Sequence, residues 1–162
     1  MGILTKRIPG LNLANPVHLL AFGFGSGVIP KAPGTWGTLV AVPLYVLLQG
    51  VSMAVYLSLV LALLLLGIWL CDVAARDLGV HDHPGIVWDE IVGYLITMIA
   101  APAGWPWWLA GFVLFRLFDI LKPWPISAID KGVAGGLGIM LDDILAGLMA
   151  LACLQLCAWL LL

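Results

Sequence analysis

The sequence predicts an all-α protein, a polytopic membrane bundle of short helices preceded by an N-terminal segment that is re-entrant or interfacial. Three observations predict it. Of 162 residues, 63% are hydrophobic and only 10% are charged, against about 25% charged in soluble domains. A soluble fold of this size has more surface than so few charges can cover, so lipid must take part of it. The charges that exist are also gathered: none lies between Lys31 and Asp72, between Glu90 and Arg116, or after Asp143. The length suits one domain, 1–162, and a net charge of −2 is too small to point to nucleic acid.

Each element follows from what interrupts the apolar runs. Val17 to Ile29 is apolar, rich in glycine and closed by Pro30. It is too short to cross comfortably and reads as re-entrant or interfacial. Pro9, Gly10, Asn12, Asn15 and Pro16 break any earlier apolar run, which argues against a signal peptide. The uncharged stretch from Ala32 to Cys71 is 40 residues, roughly 60 Å of helix at about 1.5 Å per residue. A bilayer core is about 30 Å thick, so this stretch fits two helices, 36–48 and 53–75, turning at Gln49-Gly50-Val51-Ser52. Two prolines and a glycine between Ala101 and Pro106 divide the next stretch into helices 86–101 and 106–121. The final apolar run fits one span, 142–162.

The turns at 49–52 and 102–105 carry no charge, so all seven Lys and Arg fall at the opposite face. By the positive-inside rule that face is cytoplasmic and the C-terminus lies outside. A rival topology makes 91–115 one proline-kinked span and separates Asp89 and Glu90 from Asp119. Cys71, Cys153 and Cys157 lie in apolar runs without metal-type spacing.

The acidic residues carry the chemistry. Asp89 and Glu90 begin one predicted helix and Asp142 and Asp143 another, where capping alone would account for carboxylates. Asp119 sits near a helix C-terminus, where the dipole disfavours it; an ion pair with Arg116 or Lys122 is its bland explanation. Five acids from three helices at one face would repel strongly without a cation, and oxygen-only ligands point to a hard one such as Mg²⁺. Lys31, Arg116, Lys122 and Lys131 at the same face are candidate phosphate donors. Gly23-Phe24-Gly25-Ser26-Gly27 either turns backbone N–H groups to an anion or packs helices closely. Asp72 and Arg76 read as a surface pair and His18 as interfacial. His81-Asp82-His83 reads as a loop or headgroup-orienting segment, because no further soft ligand converges on it. Metal held by acids and phosphate held by cations is the arrangement of metal-assisted phosphoryl chemistry.

Several blocks then stand in a specific order: Asn15-Pro16-Val17-His18-Leu19-Leu20, the glycine turn, Pro33-Gly34-Thr35, His81-Asp82-His83, and Ile86-Val87-Trp88-Asp89-Glu90. Phe115-Arg116, Asp119 with Lys122-Pro123-Trp124-Pro125, and Gly135-Gly136-Leu137-Gly138-Ile139-Met140-Leu141-Asp142-Asp143 follow. With these, from about Asn15 to about Ala150, the chain resembles the phosphatidylglycerophosphatase A family. The resemblance implies a Mg²⁺-dependent, multi-pass hydrolase of the bacterial cytoplasmic (inner) membrane, its active site on the cytoplasmic face. It would remove the terminal phosphate of phosphatidylglycerophosphate to give phosphatidylglycerol. Asp89, Glu90, Asp119, Asp142 and Asp143 would be metal ligands or catalytic acids, and Lys31, Arg116, Lys122 and Lys131 the phosphate clamp. Either water attacks phosphorus with a carboxylate as base, or an Asp forms a phosphoenzyme. The absence of a cysteine at the charged face and of an Asp-x-Asp pair favours water. The alternative of another class is a cation transporter or channel subunit, which intramembrane acids would also suit. The implied partners are a phospholipid substrate and the bilayer.

Overall fold

In the computed structural model, which describes residues 8–129 and 132–162, the elements among the described residues are all helical. Ser52 starts one long helix by accepting from the Val55 N–H at 3.4 Å, and Gly79, at φ 66°, stops it. Ahead of it are α1 (Pro16–Ala21), a 3₁₀ turn (Gly23–Val28) and α2 (Pro33–Leu48). The long helix is α3 (Met53–Leu78); α4 (Trp88–Thr97), α5 (Trp105–Leu121), α6 (Ile126–Ile129) and α7 (Gly135–Leu161) follow. The 26 residues of α3 and 27 of α7 give about 40 Å each, enough for a bilayer core of about 30 Å. These two helices are long and apolar enough to cross a membrane.

At the centre stands α4, where Trp88, Ile91, Val92, Tyr94, Leu95 and Ile96 are all buried. A helix apolar on every side is a core helix. With 10 residues it is only about 15 Å long, shorter than the predicted 86–101. Helix α3 runs antiparallel to it: Tyr56 donates to Leu95 O at 2.7 Å, and Trp88 Nε1 to Leu63 O at 3.1 Å. Helix α5 turns back on α4, with Tyr94 donating to Trp108 O at 3.1 Å and Met98 Sδ filling the space over Gly111. That hairpin replaces the single kinked span of the rival topology.

Helix α7 lies parallel to α4 through glycine. A Cβ on Gly147 would meet Gly93 O at 2.6 Å, and one on Gly93 would meet Asp143 O at 2.9 Å. Such small-residue contacts let two backbones approach closely. Here they align the Asp143 turn of α7 with the first turn of α4.

The start of α7 corrects the sequence reading. The helix begins at Gly135, so Asp142 and Asp143 lie two turns inside it and do not cap it. Gly135-Gly136 is poor helix sequence by propensity, but packing outweighs that here. A Cβ on Gly136 would collide with Ile68 O, the Gly136 N–H donates to Asp72 Oδ1 at 3.2 Å, and the Gly135 N–H donates to His81 Nε2 at 3.1 Å. Two side chains from outside the helix thus supply the acceptors that its sequence lacks.

The N-terminal segment is pinned by His18, which is 3% exposed. Its Nε2 lies 3.0 Å from Asp77 Oδ2, and its Nδ1 accepts from the Asn12 N–H at 3.0 Å. The glycine turn takes its packing role: a Cβ on Gly27 would strike Gly85 O, and one on Gly23 would meet Val87 Cγ2 at 2.7 Å.

Candidate active site

The N-terminal turn of α4, the C-terminal turn of α5, the start of α2 and the third turn of α7 meet around a cavity of about 400 Å³. All five acids singled out from the sequence line it, from three helices, and Asp82 adds a sixth carboxylate. Among the described residues, Arg116 and Lys122 are the cations of the lining.

The acids divide into two groups. Asp89, Glu90 and Asp143 each offer an oxygen such that all three lie within 4.8 Å of one another. Asp89 is 7% and Asp143 3% exposed. Asp89 Oδ1, Glu90 Oε2 and Asp143 Oδ1 are buried with no hydrogen-bond donor. Buried carboxylate oxygens without a donor are costly, and three together fit a hard divalent cation. Asp119 and Asp142 are instead engaged by the cations. Arg116 Nη1 bonds to Asp119 and lies 3.9 Å from Glu90 Oε1, while Lys122 Nζ lies 2.6 Å from Asp142 Oδ2. The ion pair anticipated for Asp119 is therefore present, inside the acid cavity.

Gly34 was not singled out by its chemistry, yet it forms part of the site. A Cβ there would meet Glu90 Oε1 and Arg116 Nη1. Its only signal in the sequence was the Pro33-Gly34-Thr35 block. Lys31 is exposed, and its neighbour Ala32 lines the cavity. Lys131 lies outside the described residues. The His81-Asp82-His83 loop splits three ways. His81 caps α7, Asp82 faces the cavity, and His83 packs against Phe22 with ring centroids 5.7 Å apart. Burial lowers the His83 pKa despite the opposing pull of Asp82. Asp72 pairs with Arg76 at 2.7 Å as expected and caps α7 as well, which spacing alone did not reveal.

Comparison with known proteins gives the family. Residues 19–158 match the family model of phosphatidylglycerophosphatase A. Phosphatidylglycerophosphatase A of Escherichia coli is 49% identical, over 86% of this chain and 82% of its own length. That of Haemophilus influenzae is 50% identical, over 86% and 87%. A Bacteroides thetaiotaomicron relative, 37% identical over 87% of this chain and 92% of its own, carries the provisional name of a phosphatidylinositol-3-phosphatase. No solved structure matches the chain. Matched along most of its length and about half identical to two of its members, the chain belongs to the phosphatidylglycerophosphatase A family of lipid phosphatases.

Proposed function

We propose that the protein hydrolyses the terminal phosphate monoester of phosphatidylglycerophosphate, with Mg²⁺ as cofactor, releasing phosphatidylglycerol and inorganic phosphate. The observation that carries the cofactor is the trio Asp89, Glu90 and Asp143, two buried carboxylates and one half-buried, with oxygens within 4.8 Å of one another and each with a buried oxygen lacking a donor. These residues would hold the ion, which supplies positive charge to polarise the phosphoryl group. Arg116 and Lys122 orient the phosphate from the other wall and offset its charge. Water adds to phosphorus, and Asp119 or Asp142 takes its proton. The ester P–O bond breaks, and its oxygen takes that proton back from the carboxylic acid and leaves as the lipid hydroxyl. Membership in a phosphatase family leaves the cation-transporter alternative without support.

The same reading makes the chain a multi-pass protein of the bacterial cytoplasmic membrane, with the cavity at the inner face. Less than a third of the most apolar 18-residue stretch of α3 or of α7 is covered by protein, which suits contact with lipid. The start of α2, the end of α3, the start of α4, the end of α5 and the start of α7 gather at the charged face, opposite the C-terminus. The segment 17–29, tied through His18 to Asp77, is an interfacial element there.

The test is phosphate release from phosphatidylglycerophosphate by detergent-purified protein, in chelator and across a Mg²⁺ titration. Release that rises with Mg²⁺ and stops in chelator is expected. Full activity in chelator would remove the metal from the proposal, and no release under any condition would remove the substrate.

A further inference from the structure

A second cavity, of about 310 Å³, lies between α2 and α5, lined by Leu39, Val42, Trp105, Trp108, Leu109 and Phe112. Among the described residues, every one that lines it is apolar. The two helices that form it also form one wall of the acid cavity, through Pro33 and Gly34 of α2 and Arg116, Asp119 and Ile120 of α5. Between the two cavities, α5 presents an unbroken apolar stripe. Ile120, Leu117, Val113, Leu109 and Trp105 are all exposed and recur every three or four residues, which places them on one helix face.

The spacing fits a lipid. At about 1.5 Å per residue, Leu39 and Val42 lie roughly 9 and 14 Å along α2 from Pro33, and Phe112 and Leu109 roughly 12 and 17 Å along α5 from Ile120. One leaflet of hydrocarbon is about 15 Å deep, half of a core of about 30 Å. A phosphate seated among Arg116 and Lys122 therefore leaves its glycerol at the cavity mouth and its chains beside this groove. The acid cavity itself cannot take them, because hydrocarbon packed on carboxylates would strip their solvation.

We infer that the α2–α5 groove holds an acyl chain of the substrate lipid while the phosphate occupies the acid cavity. The inference rests on the lipid-phosphatase reading and adds to it a tail site that measures chain length. It commits to the substrate's own chain, because the groove lies on the same helix pair as the phosphate cavity, further along both helices.

The experiment compares dioleoyl and dihexanoyl phosphatidylglycerophosphate as substrates for the parent chain, Val42→Trp, and the lipid-facing control Leu61→Trp on α3. Filling the groove should lower kcat/KM for the long-chain substrate by about fivefold or more, the scale of one or two lost methylene contacts. The short-chain substrate and the control should change by less than about twofold. Equal effects on both chain lengths, or on neither, would overturn the inference. A second measurement does not depend on turnover. Phosphatidylglycerophosphate bearing an acyl diazirine should label Leu39, Val42, Leu109 and Phe112 in excess over Leu61, and a diazirine phosphatidylcholine should not. Uniform labelling of lipid-facing helices would also overturn it. Cleavage of neither substrate by the parent chain would strike the phosphatase reading, and the labelling would still decide the groove.

Discussion

Lys122 Nζ stands 2.6 Å from Asp142 Oδ2, a contact that joins the C-terminal cap of α5 to a residue two turns inside α7. Lys122 reaches it from left-handed backbone, at φ 42°. A side chain other than glycine is uncommon there, and such strain is often retained where a site needs it. In the proposed reaction the same ammonium faces the phosphate.

Lys122→Gly separates the two roles. Glycine relieves the backbone and suits a helix C-terminus, while the substitution takes this ammonium from the buried Asp142, at a cost of up to about 3 kcal/mol. The melting temperature should therefore fall by several degrees while the protein still folds. Phosphate release should fall at least about tenfold, with a raised KM, because an interaction with the substrate's charge is gone. Unchanged KM and turnover would exclude Lys122 from phosphate binding.

Asp143→Asn tests the buried trio. The position is not a helix cap, so asparagine cannot preserve a capping role there. Replacing one carboxylate relieves repulsion with Asp89 and Glu90, and the metal-free protein should melt at the same temperature or higher. Turnover should drop by about a hundredfold or more, since loss of even the outer partners of a metal site costs up to that. Near-native activity throughout a Mg²⁺ titration would refute the assignment.

Mg²⁺ itself should stabilise the parent chain. A ligand that binds only the folded state at a hundred times its Kd adds about 2.7 kcal/mol. The melting temperature should therefore climb with Mg²⁺, and the climb should vanish in Asp89→Asn and Glu90→Gln. An identical climb in those variants would place the ion elsewhere.

The five longer helices and the five converging acids were legible because charge and proline punctuate the apolar runs so clearly, whereas the short α1 and α6 were not. Helix-dipole reasoning singled out Asp119, and it does lie in the cavity with Arg116. The start of α7 was not legible, because its caps, Asp72 and His81, come from residues more than fifty positions away. The tie from His18 to Asp77 was hidden for the same reason, the two being 59 residues apart. Periodicity reports which face of a helix is apolar. It cannot report which distant polar group completes a helix end.

The two caps give a prediction of their own. Asp72→Ala removes the acceptor for the Gly136 N–H and should destabilise the protein by about 1 kcal/mol, the usual effect of losing an N-terminal cap. Asp72→Asn keeps an acceptor and loses only the pair with the exposed Arg76, so stability and phosphate release should stay near the parent values. Equal losses in both variants, by thermal melting, would show that charge at Asp72 matters and its cap does not.

Gly34→Ala sets helix propensity against the site. Gly34 is the second residue of α2, and alanine is the better helix former by up to about 1 kcal/mol. The added methyl would meet the Glu90 carboxylate and Arg116 Nη1. Both are the ends of long side chains, so they can move aside without disturbing the backbone. The protein should fold and melt near the parent temperature. The carboxylate that moves, however, belongs to the trio, and Arg116 also holds Asp119. Activity should fall at least about tenfold, since small misplacements of positioned groups cost up to a hundredfold, and the Mg²⁺ concentration for half-maximal rate should rise. Parent-like activity and Mg²⁺ dependence in a well-folded Gly34→Ala would show that the position of Glu90 is not set by this approach of α2.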